Sequence, residues 1–167
     1  MLAAASIRVL YGDGGIGIMG ALAAGVLAAG GEIVGIIPQF MVDEGWNNPR
    51  STHTIVTKTM HERKAKIHEL ADAFVALPGG IGTMEELMEC LTWKQLGIHN
   101  KPVVILNTNH FFDGILRCLD QMIEQQFMRE IHRSMYVVVH TPEEVLPALL
   151  HAPEWSSDVR RLAYCKQ

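Results

Sequence analysis

Residues 73–86 have the sequence AFVALPGGIGTMEE, and this stretch decides the fold. The apolar run at its start is typical of a buried strand, and the apolar side chains at 84, 87, 88 and 91 have helical spacing. A glycine-rich turn between a strand and a helix presents backbone N–H groups at the positive end of the helix dipole, so it predicts a phosphate site. Because a pure phosphate cradle has no use for negative charge, Glu85 and Glu86 indicate chemistry next to a phosphate.

The rest of the chain alternates apolar runs with helical patterns. Uniformly apolar strands that alternate with helices predict an α/β fold whose mostly parallel sheet is covered on both faces. Ligands bind such folds at the carboxyl ends of the strands, where both glycine-rich loops of this chain lie. We expect residues 1–167 to form one domain. The predicted strands are 7–11, 32–37, 54–57, 73–77, 103–106 and 136–139, the predicted helices are 19–29, 60–70, 83–96, 112–125 and 142–150, and 38–53 is a loop.

Composition limits the function classes. The net charge of −4, with no basic block, argues against nucleic-acid binding. No apolar run approaches the roughly 20 residues that a membrane span needs, and the N-terminus lacks a convincing secretion signal. The cysteines are odd in number and far apart, which fits the reduced thiols of a cytoplasmic protein better than a disulfide framework. They are Cys90, Cys118 and Cys165.

Metal ligation is not indicated by the histidines. His61-Glu62 begins like the helix of a zinc protease, but Ala65 stands where the second histidine of HExxH would be. The other histidines show no metal-ligand spacing. We therefore expect neither a metal nor a redox cofactor.

The first glycine-rich loop, residues 11–20, also runs from a strand to a helix, and it allows two interpretations. Its glycines permit either close approach to a ligand or tight packing of helix on strand. A dinucleotide-binding loop would place an acidic residue about 20 positions onward. The next strand ends at Ile37-Pro38 without one, so an oxidoreductase that uses a dinucleotide is disfavoured.

The second loop also has a purely structural interpretation. Thr83 and Glu86 fit the Thr-x-x-Glu capping box, in which both side chains serve the helix N-terminus. That interpretation does not explain three glycines within one turn.

Arg63 is the third candidate. It follows Met60 by three residues and precedes Ile67 by four, so it falls on the apolar stripe of its predicted helix. An arginine there either extends its charged end to water or points into the site, facing a phosphate or a glutamate.

These three stretches, together with residues 93–102, resemble one family, the LONELY GUY proteins, which are cytokinin riboside 5′-monophosphate phosphoribohydrolases often labelled lysine decarboxylase-like. The resemblance extends from about residue 7 to 150 and is carried by residues 14–20, 60–64, 78–86 and 93–102. It implies a Rossmann-like three-layer sandwich that forms a homodimer. It also implies hydrolysis of the N-glycosidic bond of a purine nucleoside 5′-monophosphate, which releases the free base and ribose 5-phosphate.

The resemblance also implies roles for individual residues. Arg63 and Glu86 would be the catalytic pair, and the stretch from Trp93 would help line the base pocket and the dimer contact. The implied phosphate-binding residues are Gly79, Gly80, Gly82 and Thr83, and the other implied substrate-binding residues are Met60, Lys64, Glu85, Gly14 and Gly15.

Two departures from the family pattern qualify these expectations. Asp13 stands where the family usually has glycine, and its charge either points away from the phosphate site or weakens it. The family's first strand and most of its first helix have no counterpart before Leu2. We expect that either the natural protein is longer or the domain has a damaged phosphate site. A non-catalytic carrier of nucleotides or of molybdenum cofactor on the same frame is the alternative function, since a carrier needs the glycine loop but not the Arg63–Glu86 pair.

Overall fold

The computed structural model describes residues 1–159, so the expectation for Cys165 lies outside the described residues. Its contacts divide the chain into two compact units, one from Met1 to Ala71 and one that begins at Asp72. Each unit contains one three-stranded sheet. The single domain stays a prediction, and the units are described separately.

The first unit has a parallel sheet with the strand order β1-β2-β3. Gly35 lies in the central strand, opposite Tyr11 on one side and Thr54 on the other. The first helix ends as its glycines predict, because Gly30 has a φ of 70° and Gly31 donates its N–H to the Val26 carbonyl. In chain order the elements are β1 (Val9–Tyr11), α1 (Gly17–Ala28), β2 (Ile33–Pro38), α2 (Gln39–Asp43), β3 (His53–Thr57) and α3 (Met60–Leu70).

The second unit has a parallel sheet with the order β4-β5-β6. Its central strand is buried throughout and alternates between two hydrophobic clusters. Val103 and Ile105 pack with residues of α4 and α5, whereas Val104 and Leu106 pack with residues of α6. Helices therefore cover both faces of this sheet, as alternation along a strand requires. The elements are β4 (Phe74–Ala76), α4 (Ile81–Gln95), β5 (Val103–Leu106), α5 (Asp113–Glu124), β6 (Val137–Val139) and α6 (Pro142–Leu150).

The predicted α/β class with parallel strands is confirmed. The bounds of α3, β5 and α6 agree with the sequence prediction. Three local predictions differ from the structure: the stretch 38–53 contains the helix α2, α1 begins at Gly17 instead of Met19, and α4 begins at Ile81 instead of Thr83. Among residues 1–159, no helix is long and apolar enough to cross a membrane.

Candidate functional site

The second glycine-rich loop lies at the carboxyl end of β4 and leads directly into α4. Gly80 is the N-cap of this helix, and no side chain caps it. Thr83 is therefore the third helical residue, and the interpretation of Thr83 and Glu86 as a capping box is wrong. The first amides of a helix have no intrahelical partner. The N–H groups of Ile81 and Gly82 thus form the kind of end that binds phosphate.

The three glycines of this loop have different roles. A Cβ at Gly79 would overlap the Thr83 hydroxyl, so glycine is needed there for the loop to close over Thr83. A Cβ at Gly80 or Gly82 would meet no heavy atom within 4 Å. The loop is therefore closed beneath Gly79 and open above Gly80 and Gly82, which leaves room for a ligand at the helix N-terminus.

Glu86 lies on the same face of α4 as this open end. Residues three and four apart share a helix face, so Gly82, Thr83 and Glu86 form one row. Glu86 is half-buried and Glu85 is exposed. At 1.5 Å per residue, the Glu86 backbone lies roughly 6–7.5 Å along the helix axis from the backbone of Gly82 and Ile81.

Arg63 is buried in the first unit, with 8% of its surface exposed. Its Nε donates a hydrogen bond of 3.0 Å to the Ile36 carbonyl in β2, and its Nη1 lies 4.0 Å from the Met60 sulfur. The interpretation in which Arg63 extends to water is therefore wrong. The N-cap Thr59 accepts from the Glu62 amide and fixes the start of α3.

Gly12 faces the guanidinium of Arg63. A Cβ at position 12 would overlap the Arg63 Nη2 atom and lie 3.3 Å from Cζ. The first glycine loop thus packs directly on the arginine that the sequence singles out. Met60, Arg63 and this loop are brought together in the first unit, and Lys64 is half-buried on the same helix.

Two of the remaining glycines of the first loop, Gly14 and Gly20, serve close packing. Gly14 pairs with Asn47 in an antiparallel bridge. A Cβ at Gly20 would overlap the Gly15 carbonyl, so α1 can begin this close to the loop only with glycine at position 20. Packing accounts for Gly14 and Gly20, whereas Gly12 allows the loop to pass close to the guanidinium of Arg63.

Asp13 is fully buried and points away from the solvent-exposed side of its loop. Its carboxylate accepts hydrogen bonds from the Ser51 hydroxyl at 2.5 Å and from the Thr54 hydroxyl at 3.1 Å. The sequence analysis missed these partners, because nothing in the loop 38–53 signals which side chains fold back onto the first loop. Burial raises the pKa of Tyr11, which also contacts Ser51.

The sequence analysis also missed a buried lysine in the second unit. Lys94 is 1% exposed, and its ammonium donates to the Lys101 carbonyl at 2.9 Å. The Trp155 indole donates to the Lys94 carbonyl. Burial lowers the pKa of Lys94 and raises the pKa of the neighbouring Cys90 thiol to about 12. A lysine is ordinarily exposed, so the sequence alone could not identify Lys94 as a buried residue.

These observations define a class: an α/β protein that presents a helix N-terminus and glycine-rich loops at the carboxyl ends of parallel strands. The family model described as "Possible lysine decarboxylase" matches residues 19–149. The chain belongs to the family of the LONELY GUY cytokinin riboside 5′-monophosphate phosphoribohydrolases, as its curated relatives make plain.

Two of these relatives show the extent of the likeness. A protein of Rhodococcoides fascians named cytokinin riboside 5′-monophosphate phosphoribohydrolase is 40% identical over 89% of this chain and 75% of its own length. The Arabidopsis thaliana protein of the same name, LOG5, is 38% identical over 86% of this chain and 63% of its own length. The chain spans about two thirds of the length of the curated relatives it matches.

Solved structures of two molybdenum cofactor proteins share the fold. The molybdenum cofactor binding protein from Rippkaea orientalis has a TM-score of 0.65 at 20% identity and covers 89% of this chain and 81% of its own. The molybdenum cofactor carrier protein from Chlamydomonas reinhardtii has a TM-score of 0.63 at 21% identity, covering 90% of this chain and 80% of its own. At this identity the likeness concerns the fold alone.

Proposed function

We propose that this protein hydrolyses the N-glycosidic bond of a purine riboside 5′-monophosphate, cytokinin-type or AMP, and releases the free base and ribose 5-phosphate. One structural observation carries the proposal: a half-buried carboxylate, Glu86, lies in the second turn of α4 and on the same helix face as the open N-terminus. Family membership supports the same activity.

The proposed chemistry begins with the phosphate. The amides at the start of α4, with Gly79, Gly80, Gly82 and Thr83, hold the 5′-phosphate. Cleavage of the bond to the base gives the ribose a positive, oxocarbenium-like character. Glu86 stabilises that charge or activates the attacking water, because an anion beside the sugar is favoured as the positive charge develops.

Arg63 is the second proposed catalytic residue, and it neutralises phosphate or assists departure of the base. Its buried guanidinium, oriented through Nε by the Ile36 carbonyl, supports such a role because little reorganisation is needed on binding. Glu85 is proposed to hold a ribose hydroxyl. The other proposed substrate-binding residues are Met60, Lys64, Gly14 and Gly15.

Three further properties are part of the proposal. A homodimer is supported by the apolar side chains exposed after α4, with Leu96 44% and Ile98 56% exposed. A cytoplasmic location is supported by the free thiols of Cys90 and Cys118. One domain is supported by the family model, which spans parts of both compact units.

Product analysis tests the function. The protein is incubated separately with AMP and with isopentenyladenosine monophosphate, and base and ribose 5-phosphate are separated by chromatography. We expect both products from the parent and from the exposed control variant Glu124→Gln, and a loss of at least about 10²-fold for Glu86→Gln. The ratio of the two rates identifies the preferred base.

The alternative is a non-catalytic carrier of nucleotides or of molybdenum cofactor on the same fold, which the two molybdenum cofactor proteins share. A carrier would bind nucleotide without turnover, and its binding would survive Glu86→Gln. Calorimetry with AMP on the parent and on Glu86→Gln separates the two functions. Turnover by the parent that Glu86→Gln abolishes excludes the carrier.

A further inference from the structure

The first glycine-rich loop is tied to a segment about 40 residues further along the chain. Asp13 is 0% exposed, and its two carboxylate oxygens accept hydrogen bonds from Ser51 and Thr54. Its backbone carbonyl accepts a third bond, of 2.7 Å, from the amide of Asn48. One residue of the loop thus has three hydrogen bonds to the segment 48–54, which contains the start of β3.

The bonds around Asp13 continue into a directional chain. The hydroxyl of Ser51 has a single hydrogen, which it donates to Asp13, so it accepts from the Tyr11 hydroxyl at 2.7 Å. The Tyr11 oxygen accepts in turn from the side-chain amide nitrogen Nδ2 of Asn48 at 3.0 Å. Hydrogen bonds in such a series polarise one another, and buried networks that are satisfied in this way are rigid.

The backbone at Asp13 does not by itself explain the aspartate. Asp13 has a φ of 59°, in the left-handed region, which glycine adopts without strain. If the loop needed only this conformation, glycine would serve better. The aspartate adds the side-chain bonds, and β2 makes room for it, because a Cβ at Gly35 would overlap the carboxylate.

We infer that Asp13 is a positioning residue that holds the first glycine-rich loop in its substrate-binding geometry through Ser51 and Thr54; this inference rests on the proposed function. The loop next to Asp13 includes Gly12, which packs on Arg63, and the proposed substrate-binding residues Gly14 and Gly15. Holding the loop before substrate arrives avoids an ordering cost at the moment of binding.

Two substitutions test the inference. Asp13→Gly keeps the backbone conformation accessible and removes the side-chain bonds. Asp13→Asn keeps an acceptor for Ser51 and offers an amide donor to the Thr54 hydroxyl. Asp43→Asn, at the exposed end of α2, is the control that removes a carboxylate elsewhere in the same unit.

The readouts are kcat and KM for AMP, the dissociation constant of AMP by calorimetry, and hydrogen exchange of the amides of residues 12–17. For Asp13→Gly we expect KM and the dissociation constant to rise about tenfold, roughly the cost of ordering one backbone residue. We expect kcat to stay within about threefold, and exchange in the loop to accelerate. Asp13→Asn and Asp43→Asn should both remain within about threefold of the parent in KM.

The outcomes separate a positioning role from a structural one. A lower melting temperature of Asp13→Gly with unchanged KM and unchanged loop exchange would overturn the inference, because the carboxylate would then serve folding alone. Failure of Asp13→Asn to restore KM would also count against it. A parent that neither cleaves nor binds AMP removes the proposed function instead, and the exchange data then still decide whether Asp13 tethers the loop.

Discussion

Adding one methyl group at Gly12 should displace the guanidinium of Arg63 and impair its function, although Arg63 itself is not substituted. Gly12 has no Cβ, and the position that a Cβ would occupy overlaps the Nη2 atom of Arg63. The guanidinium cannot simply rotate into water, because Arg63 is buried and its Nε is bonded to the Ile36 carbonyl. In Gly12→Ala the charged end of Arg63 must therefore move within the protein.

The size of the effect follows from that displacement. Relief of the overlap requires a shift of about 1 Å, and a misplacement of this size costs about 10²-fold in rate. This corresponds to roughly 2.7 kcal/mol of transition-state stabilisation. The loss of folding free energy should be smaller, about 1 kcal/mol, because the displaced atom is the end of a flexible side chain. For a chain of this length that lowers the melting temperature by about 2–4 °C.

The assay compares kcat/KM and melting temperature for the parent, Gly12→Ala and a matched control. Gly25→Ala is the same chemical change in the same unit, at an exposed position of α1 where a Cβ meets nothing within 4 Å. The control should retain full activity and gain about 0.5–1 kcal/mol of stability, because alanine replaces glycine inside a helix.

A double-mutant cycle decides whether the effect passes through Arg63. In an Arg63→Ala background the methyl group at position 12 has no guanidinium to displace, so Gly12→Ala should cost little further activity. Activity of Gly12→Ala within about threefold of the parent would refute the reasoning, since the position of the guanidinium would then not limit catalysis. Equal losses in both backgrounds would refute it as well.

Three more predictions concern buried groups. Gly35→Ala should destabilise the protein by about 1–3 kcal/mol in urea unfolding, because its Cβ would overlap Asp13; a midpoint equal to that of the parent would contradict this. Iodoacetamide at about pH 8 should label Cys118 well before Cys90, because burial raises the pKa of Cys90 to about 12. Mass spectrometry that finds equal labelling of the two thiols would be inconsistent with the structure. Burial lowers the pKa of His132 below its ordinary 6.5, so the unfolded chain takes up the proton first and stability falls as the pH drops below 6.5. His132→Asn should reduce the loss of melting temperature between about pH 7.5 and 5.5, and an undiminished loss would assign it to other groups.

Local patterns predicted most of the elements. The bounds of α3 and α6 follow from signals next to each helix: Thr59 caps the first, and Thr141 with Pro142 starts the second. The helix α2 was missed because its five residues are too few to show a period. The start of α4 was placed two residues late because a threonine is the commoner N-cap, whereas Gly80 has this role here.

Long-range contacts could not be predicted in the same way. The sequence placed Arg63 on an apolar stripe but left open whether it reaches water, because that depends on the carbonyl of Ile36, 27 residues away. The hydrogen bonds of Asp13 depend on Ser51 and Thr54, which lie 38 and 41 residues away, at the end of the predicted loop and the start of the strand that follows it. Spacing within one element says which residues share a face, but not which loop that face meets.

The fold by itself does not separate a hydrolase from a carrier, since two molybdenum cofactor proteins share it at about 20% identity. The glycine loop does not separate them either, because both would bind a phosphate. Glu86, in contrast to the fold and the glycine loop, does help to separate the two functions, because it carries a negative charge. A carboxylate near a bound anion repels it, so this side chain does not favour binding of a phosphate. It favours a reaction in which positive charge develops beside the phosphate, as it does on the ribose when the bond to the base breaks.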